Sequence, residues 1–161
     1  MLILGVDPGS AATGFGVIRK EGAASAYVNS GTARASTKLS HSKKLWTIHA
    51  RLEEVIREHK PSVMVVESLF HSVNSQSLMK LSQVRGVVLL LGELHGMEIF
   101  EYAPMEIKKG LTGYGRADKE QVSFMVSKIL GLPPIKSSDE GDALAMALYH
   151  SHLCLPERAV S

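Results

Sequence analysis

The 161-residue chain predicts an α/β fold: a mixed five-stranded sheet flanked by helices. Three observations predict it. Short apolar runs separated by Pro-Gly and Glu-Gly turns open the chain and read as antiparallel strands. Two further apolar runs, Val63-Met64-Val65-Val66 and Ile99-Phe100, each follow a helical pattern, which is the arrangement that lays parallel strands side by side. Finally, the last third has helical periodicity and no strand pattern.

Taken in order, Leu2 to Asp7 is the first strand and Pro8-Gly9-Ser10 its turn, with Gly9 expected at positive φ. Thr13 to Lys20 returns as the second strand, Glu21-Gly22 turns again, and the third strand runs from Ala24 to about Ala35. From about Ser40 to His59 a helix is expected, because Leu45, Ile48, Leu52, Val55 and Ile56 form one apolar stripe before Pro61 stops it. The strand Val63 to Glu67 follows, then a loop from Ser68 to Ser75. A helix from about Gln76 to His95 is apolar on Leu78, Leu81, Val84, Val88 and Leu91. Glu98 to Tyr102 is the fifth strand. After it come a short helix over Met105 to Gly110 and a basic loop over Thr112 to Arg116. The next helix is capped by Asp118, with Gln121 three residues on, and ended by Gly131-Leu132-Pro133-Pro134. Ser138 to about His152 is the last helix. The chain is thus expected to be one domain, with its core in about residues 1–152 and a short tail.

Composition narrows the function. No apolar stretch reaches the ~18 residues that a bilayer span needs. The start of the chain lacks a basic segment of the signal-peptide kind. One cysteine, Cys154, allows neither an internal disulfide nor a zinc pattern, so a reducing, cytoplasmic setting is expected. Net charge is +2, from 18 Lys and Arg against 16 Asp and Glu. Four of those acids sit where a fold would not place them for solubility. Asp7 and Glu67 each end a buried strand; Asp139 and Asp142 lie three apart on one helix face. Carboxylates at buried strand ends are costly unless paired or metal-bound, so the four suggest a divalent-metal site. Setting them aside leaves 12 acids against 18 cations, and residues 105–136 are notably basic. That balance suits a polyanionic partner, although a plain solvated surface has the same composition. Read singly, Asp7 before a Pro-Gly turn could be solvated, and Asp139 and Asp142 could be helix-capping acids.

The motifs in their order carry more than each alone. They are Gly5-Val6-Asp7-Pro8-Gly9-Ser10 with Thr13 to Ile18; Val66-Glu67 with Phe70; Leu81 to Val87; Phe100 to Pro104 followed by Lys108; Gly113-Tyr114-Gly115 followed by Ala117-Asp118-Lys119; and Asp139 to Ala145. Over residues 1–152 this pattern resembles the RuvC family, the bacterial Holliday-junction resolvases of the RNase H-like superfamily. The resemblance implies that Asp7, Glu67, Asp139 and Asp142 are the catalytic acids and hold two Mg²⁺ ions, with Mn²⁺ as a substitute. It implies a homodimer that nicks a four-way DNA junction symmetrically in recombination and repair, working with the RuvA–RuvB branch-migration complex. On the same match Lys119 stands beside the scissile phosphate and Lys108 on the DNA backbone. Phe70 either stacks on an unpaired base at the crossover or packs in the core. Arg85 either contacts DNA or holds its head in solvent. The Gln76–His95 helix is the expected dimer element, through Leu78, Leu81, Val88 and the Val87 to Leu91 cluster. Three other readings compete: a fragment of an actin-like ATPase, for which the chain is too short; a nuclease of RNA–DNA hybrids, which would use the same acids; and a junction-binding module without catalysis.

Overall fold

A computed structural model describes residues 1–68 and 75–154. Its elements are β1 (Leu2–Asp7), β2 (Ala12–Glu21), β3 (Ala24–Arg34), α1 (His41–His59), β4 (Val63–Glu67), α2 (Ser75–Leu94), β5 (Glu98–Tyr102), α3 (Pro104–Thr112), α4 (Lys119–Leu130) and α5 (Ser138–Leu153). The sheet order is β3-β2-β1-β4-β5. The first three strands pair antiparallel, while β4 lies parallel to β1 and β5 parallel to β4. Each αβ connection therefore returns in the direction that the sequence predicts. One difference is at α3, which runs through Thr112, two residues past its expected end, and takes the first residue of the expected loop. Its end is set by Gly113 at φ 77°, whose N–H donates to the Lys109 carbonyl.

Strand alternation divides the core into two layers. Leu4, Val6, Phe15, Val17, Met64 and Val66 face α1 and α2. On the other face, Ile3, Ile18, Val63 and Val65 meet α3, α4 and α5. Asp7 continues the Ile3-Gly5 parity and Glu67 the Val63-Val65 parity. Both carboxylates consequently emerge on the α5 face, at the ends of adjacent strands in register through Val6 and Val66.

Glycines bring α5 onto that face. A Cβ on Gly5 would lie 2.0 Å from the Ala143 carbonyl oxygen, and one on Gly14 would lie 2.0 Å from the Asp139 carbonyl oxygen. Gly14 pairs across the sheet with Asp7, so the bare backbone there lets the start of α5 settle beside Asp7. Gly9 departs from expectation, because it is not among the glycines at positive φ. Its requirement is space: a Cβ would stand 2.2 Å from the Ala12 carbonyl oxygen. Asp118 caps α4 as predicted, accepting from the Gln121 N–H at 2.8 Å while Gln121 Oε1 accepts from the Asp118 N–H at 3.0 Å.

Candidate active site

The ends of β1 and β4, the start of α5, α3 and the first turn of α4 enclose a cleft of about 210 Å³ that holds Asp7, Glu67, Asp142, Lys108 and Lys119. Asp139 stands one turn before Asp142 on α5, and its charge acts on Asp7. Four of the eight site residues named from sequence, Asp7, Glu67, Asp139 and Asp142, are thus fixed by sheet ends and a helix start, which are rigid places.

Electrostatics shows how tightly the acids are gathered. Burial, then the negative charges of Asp142, Glu67 and Asp139, push the Asp7 carboxyl up to about 7. Glu67 is raised too, first by burial and then by Asp142, against the opposing pull of Lys119, Lys108 and Arg85. Lys119 Nζ donates to Asp142 Oδ2 at 2.7 Å and to Ser138 Oγ at 3.1 Å. That hydrogen bond to Asp142 is the main reason its ammonium is held above its ordinary range. Negative charge therefore exceeds the local cations, and a proton on Asp7 relieves part of the excess.

The donor set fits hard divalent cations. All four candidate ligands are carboxylates, whose oxygens Mg²⁺ and Mn²⁺ prefer. Among the described residues, no three His, Cys, Asp or Glu side chains already converge as a finished cage. Asp142 explains part of this, since its carboxylate is turned onto Lys119. The strained protonation of Asp7 and the oxygen-only donor set are what make the acids suit such an ion.

Of the two sequence expectations for Arg85, the structure overturns the head in solvent. Its side chain is 9% exposed and its head is not in solvent. Nη1 donates to the Glu67 carbonyl at 2.6 Å, and Nη2 pairs with Glu101 on β5. The guanidinium ties α2 to β4 and β5 at the strand ends that carry the site. Sequence pattern missed this because an arginine in an amphipathic stripe normally snorkels. The available signal was Glu101, a charge standing between the aromatics Phe100 and Tyr102. Ser138, which holds Lys119, was also missed, as was the bond from Ser30 on β3 to Glu140 on α5. That bond explains why Glu140, between the two aspartates, turns away from the cleft. Phe70 lies outside the described residues.

This strand order, with acids at the ends of the two central strands and a helix laid across them, defines an RNase H-like protein. The profile of the family "Crossover junction endodeoxyribonuclease RuvC" matches residues 3–150. The RuvC of Alkaliphilus metalliredigens is 39% identical over 153 residues, covering 94% of this chain and 93% of that protein. That of Pelodictyon phaeoclathratiforme is 44% identical over 149 residues, covering 92% and 78%. Thermus thermophilus RuvC in complex with Holliday junction substrate superposes with a TM-score of 0.89 at 32% identity, over 95% of this chain and 94% of that one. A yeast mitochondrial Holliday junction resolvase shares the fold, at 10% identity and a TM-score of 0.67. The chain belongs to the RuvC family of crossover junction endodeoxyribonucleases.

Proposed function

We propose that this protein resolves four-way DNA junctions in homologous recombination and repair, by binding a junction as a homodimer and nicking two symmetry-related strands. The observation that carries this reading is the meeting of Asp7, Glu67, Asp142 and two lysines in one cleft, with Asp139 close enough for its charge to act on Asp7, in a resolvase-family chain. Asp7, Glu67, Asp139 and Asp142 would hold two Mg²⁺ ions, with Asp7 between them and Mn²⁺ able to substitute. When bound, such a pair supplies an activated water and charge compensation at both oxygens of an in-line displacement.

The chain's own residues do the rest. Asp7 and Glu67, on neighbouring strands, fix the ligand geometry because the sheet cannot flex between them. Lys119, whose ammonium donates to Asp142 at 2.7 Å, would also offer a positive charge to a phosphate oxygen in the cleft. Lys108 lines the same cleft from α3 and offers a second cation to the DNA backbone. Phe70, three residues after Glu67 in sequence, is suited to stack on a base at the open junction centre.

A C2 dimer presents two identical sites to two equivalent strands, which matches the approximate two-fold symmetry of a junction. α2 is the element we place at the dimer axis. By family membership the working partner is the RuvA–RuvB complex and the setting is the bacterial cytoplasm. No helix among the described residues is long and apolar enough to cross a membrane.

A nuclease of RNA–DNA hybrids would use the same acids, so substrate comparison decides. Labelled four-way junction, linear duplex and RNA–DNA hybrid are incubated with the protein in Mg²⁺ or EDTA. Paired nicks in the junction alone, abolished by EDTA, are expected. Preferential cutting of the hybrid would overturn the reading.

A further inference from the structure

Beside the acidic cleft lies a second groove of about 360 Å³, between α4 and the start of α5. Its walls include Phe124, Pro134, Ile135 and Lys136, and it shares Lys119 and Asp142 with the cleft. The two hollows therefore adjoin, with the paired Lys119 and Asp142 side chains between them. Its volume falls in the range of small-ligand sites, about 300–1,000 Å³. Phe124 is 59% exposed at the groove, which is costly for a large apolar ring with nothing to cover it. The Lys128 ammonium lies 5.4 Å from the centre of that ring. Three cations, Lys119, Lys128 and Lys136, face or flank the groove, against the acids Glu120 and Asp142.

We infer that this groove is a nucleotide subsite: it takes one unstacked nucleotide of the cleaved strand, next to the scissile phosphate, with its base against Phe124. The inference rests on the reading of the acidic cleft as the phosphodiester site. Lys119 and Phe124 line the same groove from α4. A base that lays a face on Phe124 gives up its stack on the neighbouring base, so the step beside a phosphate held at Lys119 has to be opened out. An aromatic face accepts any base, and the groove walls of proline and isoleucine exclude water from the stack. Lys136 and Lys128 then answer the phosphate that follows. The subsite would make cleavage depend on how easily the nucleotide at that one step unstacks, and hence on local sequence. No base-edge hydrogen bond is needed.

The test replaces single nucleotides of a four-way junction by an abasic residue, at successive positions on either side of the scissile phosphate. One position should lower kcat/KM for the parent protein about tenfold, the loss expected for one base–aromatic stack. Phe124→Ala should lose a similar factor on the intact junction and show no further loss on that abasic junction. Phe124→Trp should recover the sensitivity. Because Phe124 is exposed, the melting temperature should stay within about 2 °C. A binding readout keeps the subsite separate from the assignment of the cleft. In EDTA, 2-aminopurine at the sensitive position, or at each position in turn if nothing is cut, should change emission when the parent binds and much less with Phe124→Ala. Equal signals from both proteins, no signal at any position, or abasic and Phe124→Ala losses that multiply would overturn the subsite. Failure of cleavage alone, with the fluorescence difference intact, would count against the cleft and leave the subsite standing.

Discussion

Asp7 is the residue on which charge weighs most, and its behaviour gives two tests. Its carboxyl titrates near 7 in the fold against 3.8 as a free side chain. The folded state therefore binds the extra proton between those pH values, and stability falls as pH rises through the window. Below about pH 4 both states are protonated and the penalty vanishes; above about pH 7 it is present in full. Three pKa units correspond to at most about 4 kcal/mol. Urea denaturation of metal-free protein should thus give lower stability at pH 8 than at pH 5.5, and Asp7→Asn should remove most of that slope and be the more stable protein at pH 8. Added Mg²⁺ should stabilise the parent at pH 8 and have little effect on Asp7→Asn. A parent slope unchanged by the substitution would mean that Asp7 is not the titrating group. Catalytically, Asn or Gln at any one of positions 7, 67, 139 and 142 should abolish nicking while junction binding, followed by gel shift in EDTA, is kept or tightened. Near-parental nicking by two of these variants would remove the acids from the chemistry.

At the scale of the element, α2 does two things on opposite sides. Inward it sends Arg85 to the Glu67 carbonyl and to Glu101, tying the helix to the strand ends that carry the site. Removing those charge-assisted hydrogen bonds should cost about 1.5–3 kcal/mol. Arg85→Met should lower stability by that amount and raise the Mg²⁺ concentration for half-maximal nicking several-fold, since Glu67 loses its restraint. Arg85→Lys should recover part of both. If Arg85→Met instead leaves the Mg²⁺ requirement alone and flattens the salt dependence of DNA binding, the residue belongs to the DNA surface. The elements themselves were legible in the sequence because each has one dominant period. The apolar runs of β1 and β4 bounded by turn residues, the Leu45–Ile56 stripe and the Asp118 capping box leave little choice. Asp7 and Glu67 were legible for a different reason, being charges at the ends of apolar runs. What escaped was everything decided by the third dimension. Arg85 looks amphipathic until the strand ends above it are known. Gly9 looks like a positive-φ glycine until the Ala12 carbonyl is seen to fill the space of its Cβ. Within α2 the periodicity found the buried face, Val84, Val88 and Leu91, and could not say which other apolar residues stay outside.

Two properties belong to the whole molecule. The first is salt dependence. Lys108 lines the cleft, and if it meets a phosphate then Lys108→Ala should reduce the slope of log K against log salt by about one, equally for junctions of different sequence. An unchanged slope would take Lys108 out of the contact. The second is the dimer. Val88 and Leu91, expected at its interface, are fully buried within the chain and have nothing left to offer a partner. Met79, Leu90 and Leu94 are the large apolar side chains of α2 that stay exposed, and at 3.6 residues per turn all three fall on one side of the helix. Gly86 is exposed on the same side, which would let a second helix approach closely. Covering each such side chain is worth about 1.5–3 kcal/mol. Leu90→Glu with Leu94→Glu should accordingly weaken association by at least a hundredfold. Both side chains point away from the core, so circular dichroism and melting should be nearly unchanged. Sedimentation should show a dimer for the parent and a monomer for the double variant at micromolar concentration. On a supercoiled plasmid carrying a cruciform, the parent should give mainly linear product, because two sites cut one junction in a single encounter. The variant should give nicked circles, because a monomer cuts once and departs. A double variant that still sediments as a dimer would place the interface on another element, whereas a monomer that still linearises the plasmid would break the link between two-fold symmetry and paired cutting.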